Sequence, residues 1–251
     1  MRRAAIVCAS AEELRPALNG ITLEVLDLPG GRGLGSIRHD DLLIDFAAVG
    51  CGARLTRRGL GALLQLRPEA IVFVGIAGAL DATLRTGDGI IPDWFVTVGY
   101  PQPVFRHVTQ SGRLAGILWQ RMAGQGRLRR GGIFGSGVRL VCRSEEKLRI
   151  WRQTGAIAVD MESFEAVSIC ARHGIEFATL RVISDTASDD LPKWLDEAFD
   201  SRFGFDLSRV GLAMAEHPRE AALLADHSAA AVFAIREHLP SIIECLGNLR
   251  P

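Results

Sequence analysis

Short apolar runs bounded by glycine, proline and polar residues alternate along this chain with longer stretches in which apolar positions recur every three or four residues. A short run reads as a buried strand, and the longer period reads as a helix with one buried face. Strands are expected over residues 4–8, 22–26, 42–49, 70–74, 89–92, 156–159 and 177–183. Helices are expected over 11–18, 53–66, 114–123, 144–153 and 162–173, with a helical set from about Leu207 onward. Strands and helices in alternation are the pattern of an α/β fold. Glycines mark expected chain reversals at 30–35, 50–52 and 75–78, where the backbone either turns tightly or comes close to something. There is no internal repeat, and the alanine-rich stretch 221–234 reads as a well-packed helix.

Two expected strand ends carry acids. Val159-Asp160-Met161-Glu162-Ser163 places carboxylates at the start of a helix, and Arg181-Val182-Ile183-Ser184-Asp185 places another just past an apolar run. The carboxyl edge of an α/β sheet is where convergent polar groups hold small molecules, so Glu162 and Asp185 are the first candidates to face one ligand. A third strand end reads Ala9-Ser10-Ala11-Glu12-Glu13-Leu14. Helix capping and the helix dipole account for Ser10, Glu12 and Glu13 on their own, and also for Asp160 and Glu162. What favours a site is the coincidence of three acid-bearing strand ends with two glycine segments, 49–53 and 74–78, on one edge. The amides of those segments can line a pocket or an anion site, or they can simply turn the chain. The third glycine segment, 30–35, lacks the G-x-G-x-x-G spacing, which disfavours a dinucleotide fold.

Composition narrows the classes. At 251 residues, 48% hydrophobic and 23% charged, the chain can bury one large core, and residues 1–251 are expected to form a single domain with a helical C-terminal tail. Lys plus Arg and Asp plus Glu are both 29, which leaves no basic excess for a nucleic-acid backbone. The apolar run after Met1-Arg2-Arg3 is ended by Ser10, Glu12 and Glu13 before a signal segment or membrane span is complete, so a cytoplasmic protein without stable membrane insertion is expected. Five scattered cysteines with no C-x-x-C pair suggest neither a disulfide framework nor a zinc site, and the six histidines show no metal spacing. No metal and no redox cofactor is expected.

Read in order, Glu12-Glu13, Gly50-Cys51-Gly52, Gly75-Ile76-Ala77-Gly78 with Thr86-Gly87-Asp88 downstream, Asp160-Met161-Glu162 and Ile183-Ser184-Asp185 resemble the purine nucleoside phosphorylase and nucleosidase superfamily. In detail the chain is similar to nucleosidases that hydrolyse methylthioadenosine and S-adenosylhomocysteine. The likeness covers roughly residues 4–190. It implies a three-layer α/β/α phosphorylase-type fold with a mixed, partly barrel-like central sheet, a purine nucleoside substrate, and a homodimer. It also implies that Asp185 would hydrogen-bond and protonate the purine at N7, Glu162 would hold the ribose hydroxyls, Met161 would pack on the ribose, and Glu13 would activate water. Asp160, Ser184, Gly50, Cys51, Ile76, Ala77 and Gly78 fall in the same motifs and are carried as substrate-contacting positions. The chemistry is coherent: an N-glycosidic bond breaks when the leaving base is protonated and the ribosyl cation is stabilised. Asp185 would need a raised pKa, which burial and a hydrogen-bonded Ser184 neighbourhood would provide.

Phosphorylases of this superfamily hold phosphate with arginines and with a Ser or Thr in the glycine segment, because guanidinium forks suit a dianion. Here Ile76 lacks the hydroxyl, Ile71-Val72-Phe73-Val74 lacks an arginine, and Glu13 would repel phosphate, so water is the expected nucleophile. Arg15, Arg54 and Arg139 remain as cations that the fold can bring to the site. Methylthioadenosine nucleosidases carry Ser-Gly-Asp-x-Phe-Ile where this chain has Ser136-Gly137-Val138-Arg139-Leu140-Val141, and Leu140 and Val141 are left to sandwich the base. The segment 100–110 is also short by comparison. Leu191-Pro192 and the tail through His217-Pro218 and Leu223-Leu224 are more similar to the hopanoid-associated nucleosidase/phosphorylase branch, whose members are assigned to cleaving adenine from adenosylhopane. The apolar tail 221–246 suits a lipid substrate, ordinary helix packing or a dimer face. Leu128-Arg129-Arg130 is expected to be a solvated loop, and Asp226-His227-Ser228 cannot form a triad because consecutive helix residues point about 100° apart.

Overall fold

A computed structural model describes residues 1–28, 32–98, 108–109, 112–200, 202 and 204–249. In chain order the elements are β1 (Arg2–Cys8), α1 (Ala11–Leu14), β2 (Arg32–His39), β3 (Leu42–Ala48), α2 (Ala53–Leu63), β4 (Ala70–Ala79), β5 (Gly89–Ile91), β6 (Trp94–Val98), β7 (Val108–Thr109), α3 (Gly112–Met122), β8 (Leu128–Arg130), β9 (Ile133–Gly137) and α4 (Ser144–Thr154). They continue with β10 (Ala156–Asp160), α5 (Ser163–Arg172), β11 (Glu176–Asp185), α6 (Lys193–Glu197), β12 (Phe199–Asp200), β13 (Gly204–Phe205), α7 (Leu207–Glu216) and α8 (Pro218–Gly247). Eleven strands form one mixed sheet in the order β2-β3-β1-β4-β10-β9-β6-β7, from which β11 branches on β4, β5 on β11 and β8 on β5.

The long strand β4 makes the branch. Residues Ala70 to Phe73 pair in parallel with β1, the same strand pairs in parallel with β11 from Ala70 to Gly78, and its end at Gly78 and Ala79 pairs antiparallel with β10. One strand thus serves two neighbours in succession on one side, and the sheet takes the partly barrel-like form expected above. Alternate side chains go to opposite faces. Ala4, Ile6, Val72 and Leu180 pack under α1, α3 and α8, whereas Val7, Phe73 and Phe177 pack under α2 and α5. The layers are therefore helix, sheet, helix. A third, smaller cluster joins β6, β9 and β10 to α4 through Val96, Ile150 and Val159.

Several expectations need correction. The strand expected at 22–26 makes only an isolated bridge, Glu24 to Ser36, and the pairing strand is β2 instead. Gly33 and Gly35 lie within β2 rather than in a reversal; Cβ atoms there would lie 2.6 Å from the Leu26 carbonyl oxygen and from Leu23, so these glycines admit the neighbouring segment. Gly30 and Gly31 of the same expected reversal lie outside the described residues, as does most of the segment 100–110. No reversal occurs at 75–78, because β4 runs straight through to Ala79. The first helix is α only to Leu14 and continues as a 3-10 turn over Arg15–Leu18, where Pro16 lacks a backbone donor. The expected loop 128–130 is β8, paired with β5, and β6 and β9 were not anticipated. The turn at 50–52 is present, with positive φ at Gly50 and Gly52. Among the described residues no helix is long and apolar enough to cross a membrane.

Candidate active site

The ends of β1, β4, β10 and β11 deliver the acids to one place. At the end of β1, Ser10 caps α1 and the third helical residue, Glu13, reaches back in a capping box. Its Oε2 accepts the Ala9 N–H at 2.9 Å and the Ser10 N–H at 3.0 Å, and its Oε1 accepts the Ile76 N–H of β4 at 3.0 Å. One carboxylate is thereby both a helix cap and a bridge between two strands, and Oε1 keeps an acceptor position. Burial pushes the Glu13 carboxyl above the usual range, opposed by the nearby Arg181 and the three amides.

Past β10, Glu162 occupies the N-cap of α5. Its Oε1 accepts the Gly52 N–H at 2.6 Å and its Oε2 the Met161 N–H at 3.3 Å. Burial first, and then the charge of Asp160, push Glu162 up to about 8, with Arg181 opposing. Asp160 accepts the Ser136 hydroxyl at 2.5 Å, the Ser163 hydroxyl at 2.6 Å and the amides of Glu162 and Ser163, and lies 2.8 Å from the Arg181 Nη2. Through these contacts its oxygens support Arg181 and the start of α5.

Arg181 lies in the same motif as Asp185. It is fully enclosed in the middle of β11, its Cζ 4.2 Å from the Phe73 ring centroid, its Nε donating to Ser163 Oγ at 3.1 Å, and its Nη2 4.0 Å from Glu162 Oε2. The Nη2 contact with Asp160 is ionic rather than a well-aligned hydrogen bond. Gly75 makes room for this cation. A Cβ at Gly75 would collide with the Arg181 guanidinium and lie 2.9 Å from Glu13 Oε1, and a Cβ at Gly78 would lie 2.9 Å from Asp185 Oδ2. Those two glycines are three residues apart on β4, roughly 10 Å along the strand, which separates the Glu13 end of the site from the Asp185 end.

At the Asp185 end, Ser184 Oγ donates to Asp185 Oδ1 at 2.7 Å and lies 3.3 Å from the Ala77 carbonyl. The Ser184 neighbourhood expected from the sequence is therefore present. Unexpected is Lys147 of α4, a fully buried lysine whose Nζ donates to Asp185 Oδ2 at 2.5 Å, to the Thr186 carbonyl at 2.7 Å and to the Asp189 carbonyl at 3.0 Å. Its sequence signal is periodicity: Lys147, Ile150 and Thr154 form the buried stripe of α4, a place where an unpaired charge is not tolerated.

Of the remaining expected residues, Cys51 lies close enough to Glu162 and Glu13 for their charges to add to burial in raising its thiol. Met161 is buried beside Glu162, Ile76 reaches Glu13 through its amide, and the Gly50 carbonyl accepts the Thr56 hydroxyl. Val141 packs in the third core cluster and Leu140 is half-buried, so neither is brought against the acids by any contact described. Arg139 pairs with Glu146 at 2.8 Å, and Arg15 and Arg54 are exposed. A surface cavity lined by Thr83, Arg85, Asp88 and Arg127 lies apart from these groups, with Arg127 already paired to Asp88. Among the described residues no group of three or more His, Cys, Asp or Glu can hold a metal ion.

A family model described as the phosphorylase superfamily matches residues 3–216. An aminodeoxyfutalosine nucleosidase of Helicobacter pylori is 24% identical over 212 residues, spanning 78% of this chain and 91% of that protein. A 5'-methylthioadenosine/S-adenosylhomocysteine nucleosidase of Glaesserella parasuis is 28% identical over 176 residues, spanning 65% and 76%. Among solved structures, the Helicobacter pylori 5'-methylthioadenosine/S-adenosylhomocysteine nucleosidase with butyl-thio-DADMe-Immucillin-A superposes with a TM-score of 0.71 at 20% identity, covering 96% of this chain and 98% of that one. A protein from Francisella philomiragia described as a putative nucleosidase of the same kind gives 0.76 at 19% identity, covering 97% and 99%. At these identities the structures bear on the fold.

Proposed function

The chain belongs to the phosphorylase superfamily, and from that premise we propose that it is a nucleosidase hydrolysing the N-glycosidic bond of a 5'-substituted adenosine to release adenine. The observation that carries the choice of water over phosphate is the seat of Glu13. Its carboxylate takes up the amides of Ala9, Ser10 and Ile76, donors that a phosphate would otherwise use, and like charges at that seat repel. The enclosed Arg181 is committed to Asp160 and Glu162, so no guanidinium fork of the described site is left for a dianion.

In this reading the nucleoside lies along β4 between the two glycines. Asp185 protonates the purine at N7, so that the C1'–N9 bond pair leaves into a neutral base. Glu162 holds the ribose hydroxyls, and the ring passes through an oxocarbenium-like state as in glycoside hydrolysis generally. Glu13 takes a proton from the water that adds at C1'. Met161 packs on the ribose, and the apolar Leu140 and Val141 are proposed as partners of the base.

The finer identity of the 5' substituent is part of the proposal. Phe199 sits against Gly52, its ring 3.1 Å from where a Cβ would be, and pairs edge-on with Phe205. An apolar lip beside the Gly52–Glu162 contact favours an apolar 5' group, adenosylhopane being the lipid extreme. Exposed Leu212, Met214, Leu223 and Phe233 on α7 and α8 support either such a substrate or a second copy in a homodimer. A cytoplasmic location belongs to the same proposal.

The test is adenine release from methylthioadenosine, S-adenosylhomocysteine, aminodeoxyfutalosine, adenosine and an adenosyl lipid, each with and without phosphate. Phosphate-independent release is expected. Release only with phosphate would make the protein a phosphorylase, and tight binding without release would make it a nucleoside-binding protein.

A further inference from the structure

We infer that Lys147 is the proton store of Asp185: the proton that leaves with the base comes from the Lys147 ammonium and passes through the carboxyl group. The inference rests on the nucleosidase reading and deepens it. A general acid must deliver a proton, yet Asp185 stands in an ion pair with a lysine that has no exposed surface. The three Nζ donors have three acceptors, Asp185 Oδ2 and the carbonyls of Thr186 and Asp189, so Lys147 has none left for a substrate and acts only through Asp185. Ser184 Oγ fixes the other oxygen of the carboxyl. The acid is thus clamped from two sides, and Lys147 Nζ, 2.5 Å from Oδ2, places an ammonium proton directly on it.

The step balances. One N–H bond of Lys147 breaks as an O–H bond forms at Asp185 Oδ2, and the O–H proton then passes to N7 as the C1'–N9 bond pair enters the purine. Water adds to C1' and gives its proton to Glu13. Lys147 ends neutral and Glu13 protonated, and solvent returns the proton from one to the other once products leave. The charged and titratable groups around the pair are Asp189 and Asp190 on the loop after β11, Glu146 of α4, Arg143 at its N-cap, the Cys142 thiol, on which the Asp185 charge acts, and His227 of α8, whose charge acts on Asp189.

The test compares Lys147→Arg with Lys147→Met, using methylthioadenosine or whichever substrate the unmodified enzyme prefers, with kcat and KM read from pH 6 to 9 alongside thermal unfolding. A guanidinium holds the carboxylate but does not release its proton at these pH values. With methionine there is no cation to supply or hold the proton, and it has to come from solvent through the carboxyl group alone. The store predicts that the Arg variant loses about a hundredfold or more in kcat with KM nearly unchanged, and that at pH 6 the Met variant outperforms it. It also predicts that the alkaline fall of kcat in the Met variant begins at least about one pH unit below that of the unmodified enzyme, since a carboxyl replaces an ammonium as the source. If the Arg variant does not fold, that displacement decides alone. Arg outperforming Met throughout, or coincident alkaline limbs in Met and unmodified enzyme, would reduce Lys147 to a structural clamp and overturn the inference while leaving the nucleosidase reading intact. Absence of base release by the unmodified enzyme from every substrate would overturn both.

Discussion

Arg181 stands among carboxylates from three elements, Glu13 of α1, Asp160 of β10 and Glu162 at the cap of α5, whereas Lys147 meets one carboxylate and two carbonyls. Both cations are fully enclosed. The difference lies in how much rests on each. Around Arg181 a single charge offsets several buried acids, so it determines whether the ribose end of the site can exist at all. Around Lys147 one charge faces one acid, a pairing suited to moving a proton rather than holding elements together. A buried cation can therefore serve as an anchor or as a source, and the number of acids around it tells which.

That contrast can be broken from either side, and the largest effect is expected at the anchor. Arg181→Met leaves Asp160 and its neighbours without a counter-ion, and breaking a buried pair in this way costs about 3–5 kcal/mol. Urea unfolding should show a correspondingly lowered midpoint, and a midpoint equal to that of the unmodified protein would remove Arg181 from its anchoring role. Asp185→Asn keeps an oxygen for Lys147 but removes its counter-charge, so it should lower the unfolding midpoint while cutting base release by about a thousandfold, with substrate still bound by the folded protein in a calorimetric titration. Near-normal turnover would take the acid role from Asp185. Glu13→Gln keeps one oxygen for the Ala9 and Ser10 amides but sets its NH2 against the Ile76 N–H, so stability should fall by about 1–3 kcal/mol, and hydrolysis should slow by about a hundredfold if this carboxylate activates water.

The mildest prediction concerns pH. Glu162 is raised in the folded protein from 4.5 to about 8, so between those values the folded state retains a proton that the unfolded state has released. Stability on that account falls as pH rises through this window and levels off above it. Glu162→Gln removes the titration. The melting temperature of the variant relative to the unmodified protein should therefore rise between pH 5 and pH 8, and a constant difference would show that Glu162 does not titrate there.

Much of this architecture was legible because burial imposes periodicity. The apolar runs of β1, β3 and β11 and the acids at strand ends lie where the pattern placed them. Arg181 was harder to read. A charge in the centre of an apolar run has to be matched by acids brought from other elements, and one strand's sequence does not say which. Lys147 was hidden by the charged surroundings Ser144-Glu145-Glu146-Lys147, although its spacing from Ile150 marked it as buried. Of the two expectations for the glycines of β4, a tight turn or a close approach, the structure has the close approach, and its reason lies across the sheet. Only the pairing of Arg181 with Gly75 and of Asp185 with Gly78 reveals that side chains of β11 occupy the space.

Those two glycines also constrain how the protein can change over time. Every available substitution at Gly75 or Gly78 adds volume against a charged group that has nowhere else to go, so no small step leads away from either residue. The acids have near-isosteric replacements that switch chemistry off and leave shape alone, but these positions have none. A lineage altering its substrate would therefore have to work through the rim, around Phe199 and the loop after β11, while the floor of the chamber is inherited unchanged.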